Sequence, residues 1–299
     1  MKHLLSIAGT ILLAATWVAA QESVAALAEK VAVLKDKRIH ESSGLARSLR
    51  HAGVFWTHND SSSEPCLFAV DETGQTRAKV RITEAVNFDW EDLASAQDEK
   101  GRGFLYIGDV GDNLQMRPTI TIYEVPEPDL PQNADKELLR TASRHWHARY
   151  PDGRHNAETL LVHPKTRRMY VLTKSDQGHS AFYAFPEQMD GGQTVTLEKV
   201  GEVEFPPFPR LGKRPHDACM TTAGDFSPDA SRVVVATYSF LHEWQIQPGE
   251  TLAEALKKPS ERIVPPLLMQ LEAVCYGADS RTLWLTSERL PAPLWRISR

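Results

Sequence analysis

Cysteine is scarce: Cys66, Cys219 and Cys275 are the whole complement, widely spaced and odd in number. With no CxxC pair they outline neither a zinc site nor a disulfide framework, and they read as three small buried apolar side chains with at most one bridge among them. A basic excess is lacking too. The formal net charge is -5, so the chain carries no positive footprint for nucleic acid. GxSxG, GxxxxGK[ST], HExxH and a GxGxxG ahead of a helix are all missing, which removes the motif-based case for a serine nucleophile, a P-loop or a zincin. Helical chemistry is confined to TLAEALKK, residues 251–258, between two strand-like runs.

Long apolar runs are lacking except at the N-terminus. There Lys2 and His3 precede an apolar stretch over residues 4–20 that ends in Val18-Ala19-Ala20-Gln21. It is shorter than the roughly 20 residues a membrane span needs and has small residues where a signal peptidase cuts. Residues 1–20 therefore read as a cleaved secretory signal, residues 21–299 as one exported domain, periplasmic or extracellular, without stable membrane insertion. No cysteine follows to carry a lipid anchor.

What the chain does contain is repetition. Five segments share one plan: an acidic residue, a small or apolar strand, a polar turn, then a β-rich strand ending in polar residues. Glu41 of ESSGLA leads to VFWTHND, which ends at His58, Asn59 and Asp60; Glu91 of WEDLA leads to FLYIGD, ending at Asp109. Glu158 of AETLLV leads to Lys174, and Glu272 of LEAVCYG leads to Glu288. The fourth segment, TTAGDFSPDASRVVVATY, departs from the plan, with Thr222 in the acid position and Tyr238 at the strand end. From acid to strand end the interval is 17 or 18 residues in the first two segments and 16 in the third and fifth.

A third strand follows each pair (CLFAVD, TITIYEVP, SAFYAFP, HEWQI, PLWRIS), and a fourth follows in most, such as AKVRI, TASRHWHARY and EKVGEVEF. Four antiparallel strands repeated every roughly 45 to 65 residues predict an all-β chain folded as a β-propeller of four-stranded blades. The count gives five blades, with room for a sixth in the irregular stretch 188–222. The last unit stops at three strands, and VAVLKDKRI, residues 31–39, supplies the missing fourth and closes the ring. A β-sandwich would also give many short strands, but not a fixed interval from acid to strand end.

In a propeller blade the start of the first strand lies beside the end of the second. Glu41, Asn59 and Asp60, then Glu91, Asp92 and Asp109, Glu158 and Lys174, Thr222 and Tyr238, and Glu272 and Glu288 should therefore converge on one rim of the channel. Crowded carboxylates need relief from protons, a lysine or a metal ion. Lys174 and Arg117 are the candidate counter-charges. Asn59, Asp60, Asp109, Asp112 and Asn113 are the candidate ligands for a hard divalent cation, calcium first, because calcium accepts carboxylate and amide oxygens in flexible geometry. Glu91, Glu158, Lys174 and His58 are the candidate catalytic groups, and Glu41, Asp92, Arg117, His216, Tyr238, Glu272 and Glu288 the candidate ligand-binding groups. For any single Asp or Asn the competing role is turn formation and capping. His145 and His147 flank Trp146 on an outer strand and should face solvent.

HESSGLARS, WTHNDS, NFDWEDLA, LYIGDVGDN, RPTITIYEVPEP and NAETLLVHP resemble a family of bacterial secreted proteins with WD40-like or phytase-esterase-like β-propeller domains. The resemblance spans residues 39–288 and is densest in the first two units. It implies an exported propeller with a polar funnel at one channel mouth. Two functions fit these residues. One is binding of a divalent cation and a small polar ligand at the acidic rim, extending to metal-assisted hydrolysis of an ester or phosphoester. The other is a non-catalytic interaction module with a protein partner, its cation structural and its contact surface marked by Trp146 or Trp244.

Overall fold

The computed structural model describes residues 22–24, 28–131, 138–189 and 193–299; the expected signal sequence lies outside them. The first strands among the described residues are β1 (Glu22–Val24) and β2 (Ala28–Val33), and five antiparallel blades follow in succession. Blade I is β3 (Ser42–Arg47), β4 (Val54–Asn59), β5 (Cys66–Asp71) and β6 (Thr76–Thr83). Blade II is β7 (Trp90–Gln97), β8 (Gly103–Asp109), β9 (Ile120–Pro126) and, after β10 (Leu138–Ala142), β11 (Arg144–Arg149). Blade III is β12 (Ala157–Val162), β13 (Met169–Thr173), β14 (His179–Ala184) and, after β15 (Val195–Thr196), β16 (Glu198–Glu204). Blade IV is β17 (Thr221–Phe226), β18 (Arg232–Thr237), β19 (Leu241–Gln245) and β20 (Glu261–Val264). Blade V is β21 (Leu271–Tyr276), β22 (Leu283–Ser287) and β23 (Pro293–Ile297), completed by β2.

The innermost strands β3, β7, β12, β17 and β21 touch in sequence, and β21 returns to β3, so the ring is closed. Five apolar clusters fill the five blade-to-blade interfaces. Between blades I and II lie Trp56, Leu67, Leu93 and Ile107; between V and I lie Phe55, Phe68, Trp284 and Leu294. Blade strands rich in β-branched and aromatic residues, such as the Val233–Val235 run of β18, are buried on both faces because each blade is covered by two neighbours.

Several expectations change in detail. The closing strand is Ala28–Val33, paired antiparallel with β23, so it starts three residues before the expected 31–39 segment and stops well short of its end. TASRHWHARY is not one strand: β10 crosses back to lie parallel on the outer edge of β6 in blade I, and only β11 belongs to blade II. β15 and β1 likewise add parallel outer strands to blades II and IV. No sixth blade occupies 188–222; its described residues form β15, β16 and a connection with one 3-10 turn at Pro215–Ala218. The expected helix is a single turn, α1 (Leu252–Ala255), with Thr251 accepting from the Glu254 N–H as its cap. The three cysteines are buried and free, so there is no bridge. Trp146 and Trp244 do not mark an exposed surface. Both are buried, in the II/III and III/IV interfaces respectively.

One irregularity recurs in every blade. The pairing of the innermost strand with the next one skips a single residue near its start: Gly44, Glu91, Glu158, Thr222 and Glu272. Such bulges re-aim a side chain out of the pleat. Glu158, Thr222 and Glu272 thus occupy the position that the repeat assigns to the acid, but in blade I that position belongs to Gly44. Its φ of +76° and a would-be Cβ 2.7 Å from the Leu93 N admit no side chain. Glu41 lies three residues earlier, outside β3, in an isolated bridge to Arg289.

Candidate functional site: an acidic channel mouth

Every blade opens its first strand and closes its second at the same end of the channel, so the skipped residues and the strand ends meet at one mouth. At the opposite end four aspartates serve turns. Asp71, Asp98, Asp229 and Asp279 each accept backbone N–H groups within their own hairpin. Burial pushes against ionisation there, but these donors outweigh it and leave each carboxyl below its ordinary value, that of Asp229 at about 2. Within the channel mouth the sign is reversed for Asp60, Asp89, Glu91, Glu158, Glu272 and Glu288.

Asp60, from the end of β4, meets Asp89 and Glu91, from the start of β7, with one carboxylate oxygen of each within 4.8 Å of the others. Glu91 is the most buried of the three, at 5% exposure, and among the described residues no hydrogen-bond donor or ion-pair partner touches its carboxylate, Lys174 acting on it only from a distance. Its main chain is fixed: the Ser43 hydroxyl donates to the Glu91 carbonyl at 2.7 Å across the blade interface. Burial and the neighbouring Glu158, Asp60 and Asp89 hold the Glu91 carboxyl well above its usual range. Burial, then Asp60, pushes Asp89 up to about 6, and burial raises Asp60. Gly111 forms the wall behind the trio. A Cβ at that position would collide with Glu91 Oε1 and Asp89 Oδ2.

On the other side of the mouth, Lys174 Nζ donates to Glu158 Oε1 and, at 2.7 Å, to the Tyr238 hydroxyl. Burial alone would lower the Lys174 ammonium, but Glu158 and Glu272 outweigh it and raise it. Burial takes the Glu158 carboxyl up to about 7 despite this lysine. Burial and Glu158 keep Glu272 well above its ordinary value, and burial followed by Asp60 and Glu41 raises Glu288. The two counter-charges therefore divide unequally. Lys174 serves the blade III, IV and V side, Arg117 pairs with Asp109 at 2.8 Å, and neither bonds to the Asp60–Asp89–Glu91 trio.

The remaining expected residues lie as follows. Asp109 Oδ1 accepts from the Asp89 N–H as well as from Arg117, which ties it into the wall. Asp112 accepts from the N–H groups of Met116 and Arg117 and closes a turn. Asn59 Oδ1 accepts from the N–H groups of His40 and Glu41 while its Nδ2 donates to the Arg38 carbonyl; Asn113 Oδ1 accepts from Asn156. Glu41 sits on the outer edge of the mouth beside His40. His58 is fully buried, edge-on to Trp90, and burial lowers its imidazole to about 4. His216 is exposed on the 3-10 turn, with Nδ1 at 3.1 Å from the Asp176 carbonyl.

Asp92 points the other way, into the axis. Its Oδ2 accepts from Leu160 N–H at 2.9 Å and Gly224 N–H at 3.0 Å, and its Oδ1 from Leu93 N–H at 2.8 Å, linking blades II, III and IV. Asp89 is the member of the trio that the repeat pattern missed. It precedes the strand in NFDWED, but its i, i+2 spacing from Glu91 was a readable sign that the two share a side.

The mouth face carries a second feature. Every large apolar side chain left exposed among the described residues stands on a connection at this end of the channel. Val86 and Phe88 lie between β6 and β7, and Leu114 and Met116 between β8 and β9. Across the mouth, Leu211 precedes β17, Leu267 and Met269 precede β21, and Leu290 follows β22.

No family model and no curated protein matches this chain. Among solved structures it is similar to the β-propeller domain of Cps50 (Swd1) from Myceliophteria thermophila, at 11% identity and a TM-score of 0.39, over 87% of this chain and 65% of that one. The chain thus spans less than two thirds of that protein's length. The propeller assignment rests on the strand topology described above.

Proposed function

We propose that this propeller is a binding protein whose acidic mouth holds a divalent cation, calcium first, between Asp60, Asp89 and Glu91, with a small polar ligand engaged beside it by Lys174 and Tyr238. The observation that carries the reading is the Glu91 carboxylate. It is buried, meets no donor or cation among the described residues, and has an oxygen within 4.8 Å of one on each of two further carboxylates. A buried acid left in that condition is costly unless it is protonated or joined by a positive charge. Three carboxylate oxygens within 4.8 Å of one another suit a hard cation. Hydrolysis of an ester or phosphoester would be a further step at the same groups; Glu158, titrating near neutrality, is the base the mouth offers.

Calorimetric titration of the protein with calcium and with magnesium tests the reading. Binding to the wild type, weakened at least about tenfold by Asp89→Asn or Glu91→Gln and unaffected by Asp98→Asn on the opposite face, is expected. No heat of binding in the wild type would remove it. Export belongs to the same reading, and N-terminal sequencing of the secreted protein, expected to begin at Gln21, checks it.

The fold independently suits an interaction module, and the one-sided exposure of apolar side chains favours it.

A further inference from the structure

We infer that the mouth face is a docking surface for a polypeptide segment that places a lysine or arginine side chain over the Asp60–Asp89–Glu91 carboxylates and apolar side chains on the two patches beside them. This rests on the placement of exposed apolar residues and not on the cation reading.

Exposed apolar side chains scattered singly over a surface need no explanation, but a set confined to one face does. Among the described residues the connections of the opposite face leave no large apolar side chain exposed, while the mouth face presents Leu114 at 80% exposure and Leu211 at 94%. The patches are organised. Arg117, anchored by Asp109, lies 4.6 Å above the Phe88 ring and holds it beside Asp89. On the far side the 211–213 loop packs over the connection before β21: a Cβ on Gly212 would stand 3.2 Å from Leu267, and Lys213 Nζ donates to the Met269 carbonyl at 2.7 Å.

Charge decides the occupant. Between the patches the mouth presents the Asp60, Asp89 and Glu91 carboxyls, to which neither Lys174 nor Arg117 bonds. An acidic partner or an anionic lipid surface would be repelled there, whereas a basic side chain gains a partner in a part-desolvated site. Apolar anchors around a central charged contact is the arrangement that gives a peptide both affinity and register.

The test is selection of random 12-residue peptides displayed on phage against the immobilised protein, once in EDTA and once in calcium. Enrichment of peptides with a lysine or arginine flanked by apolar residues is expected in EDTA, and weaker enrichment in calcium if the ion occupies the same three carboxylates. A synthetic peptide from that selection should bind at least tenfold more weakly to Phe88→Ser/Met116→Ser and to Asp60→Asn. Phe88 and Met116 are exposed, so that pair of changes leaves the fold intact, as circular dichroism would verify. Lys100→Ser on the opposite face should change nothing. Enriched peptides without a basic residue, affinity indifferent to Phe88 and Met116, or no enrichment would overturn the proposal. So would co-sedimentation with phosphatidylcholine vesicles in place of peptide binding. Success in EDTA with no calorimetric signal for calcium would uphold the docking surface and leave the cation reading to fall alone.

Discussion

At the scale of residues, one chemical type plays two roles in this chain, and environment separates them. Turn donors favour the ionised form of aspartates at the far hairpins; burial and neighbouring carboxylates oppose ionisation of Asp60, Asp89, Glu91 and Glu272 at the mouth. The stability consequence follows from linkage. A carboxyl held above its unfolded value favours the fold while it carries its proton, and that contribution is lost as pH rises through the folded value. The values are about 6 for Asp89 and about 7 for Glu158, and about 7 for Asp225, which burial raises deeper in the channel. Without divalent ions the thermal midpoint should fall from about pH 5 to about pH 8, and added calcium should restore it more at the higher pH, because ligands must shed protons to bind. Scanning calorimetry at both pH values checks this. Glu91→Gln should raise the cation-free stability near pH 8 by about 1 kcal/mol, roughly 2–4 °C in midpoint, while losing calcium. The convergence of Asp60, Glu91, Glu158, Lys174, Tyr238, Glu272 and Glu288 was legible in the sequence because strand ends are. The separate fates of Asn59, Asp112 and Asn113 were not. An amide or carboxylate after a strand has the same one-letter appearance whether it closes a turn or faces a channel, and only its donors distinguish the two.

At the scale of elements, the recurring bulge is what converts a buried inner strand into a carrier of mouth side chains. A one-residue skip hardly disturbs the interval between acid and strand end, so the repeat was visible and its cause was not. The same ambiguity misaligned blade I. ESSGLA offers an acid near the expected place, but the skip falls on Gly44, which is pressed against Leu93 and His58. Gly44→Ala should destabilise the fold by about 3 kcal/mol or more, combining left-handed backbone strain with a clash against main chain, as denaturant unfolding would measure. The crossing of β10 to blade I was equally hidden, since an outer strand pairing parallel to a neighbouring blade leaves no local signature. The burial of Trp146 and Trp244 has the same origin: in a closed ring the face of an outer strand is covered by the next blade.

At the scale of the whole molecule, closure is shared between the two ends of the described chain, β2 completing blade V, and the axis is fastened by acids that do not belong to the mouth. Asp92 ties three blades, and Asp225 Oδ2 accepts from the Tyr276 N–H at 2.8 Å to tie blade IV to blade V. Asp92→Ala would strand three buried N–H groups and should cost about 3 kcal/mol or more, a loss that calcium does not rescue because the residue faces away from the trio. An N-terminal strand in the last blade was readable because the fifth unit ran out one strand short; Asp92 as an axial staple was not, because two of its three donors come from residues 68 and 132 positions away.

The account stands most directly on what the Asp60–Asp89–Glu91 trio holds. An anomalous difference map from crystals of the protein soaked in calcium is expected to show a peak about 2.3–2.6 Å from an oxygen of each of the three side chains. A flat map at that point, with the calcium-loaded protein otherwise folded as described, would contradict it.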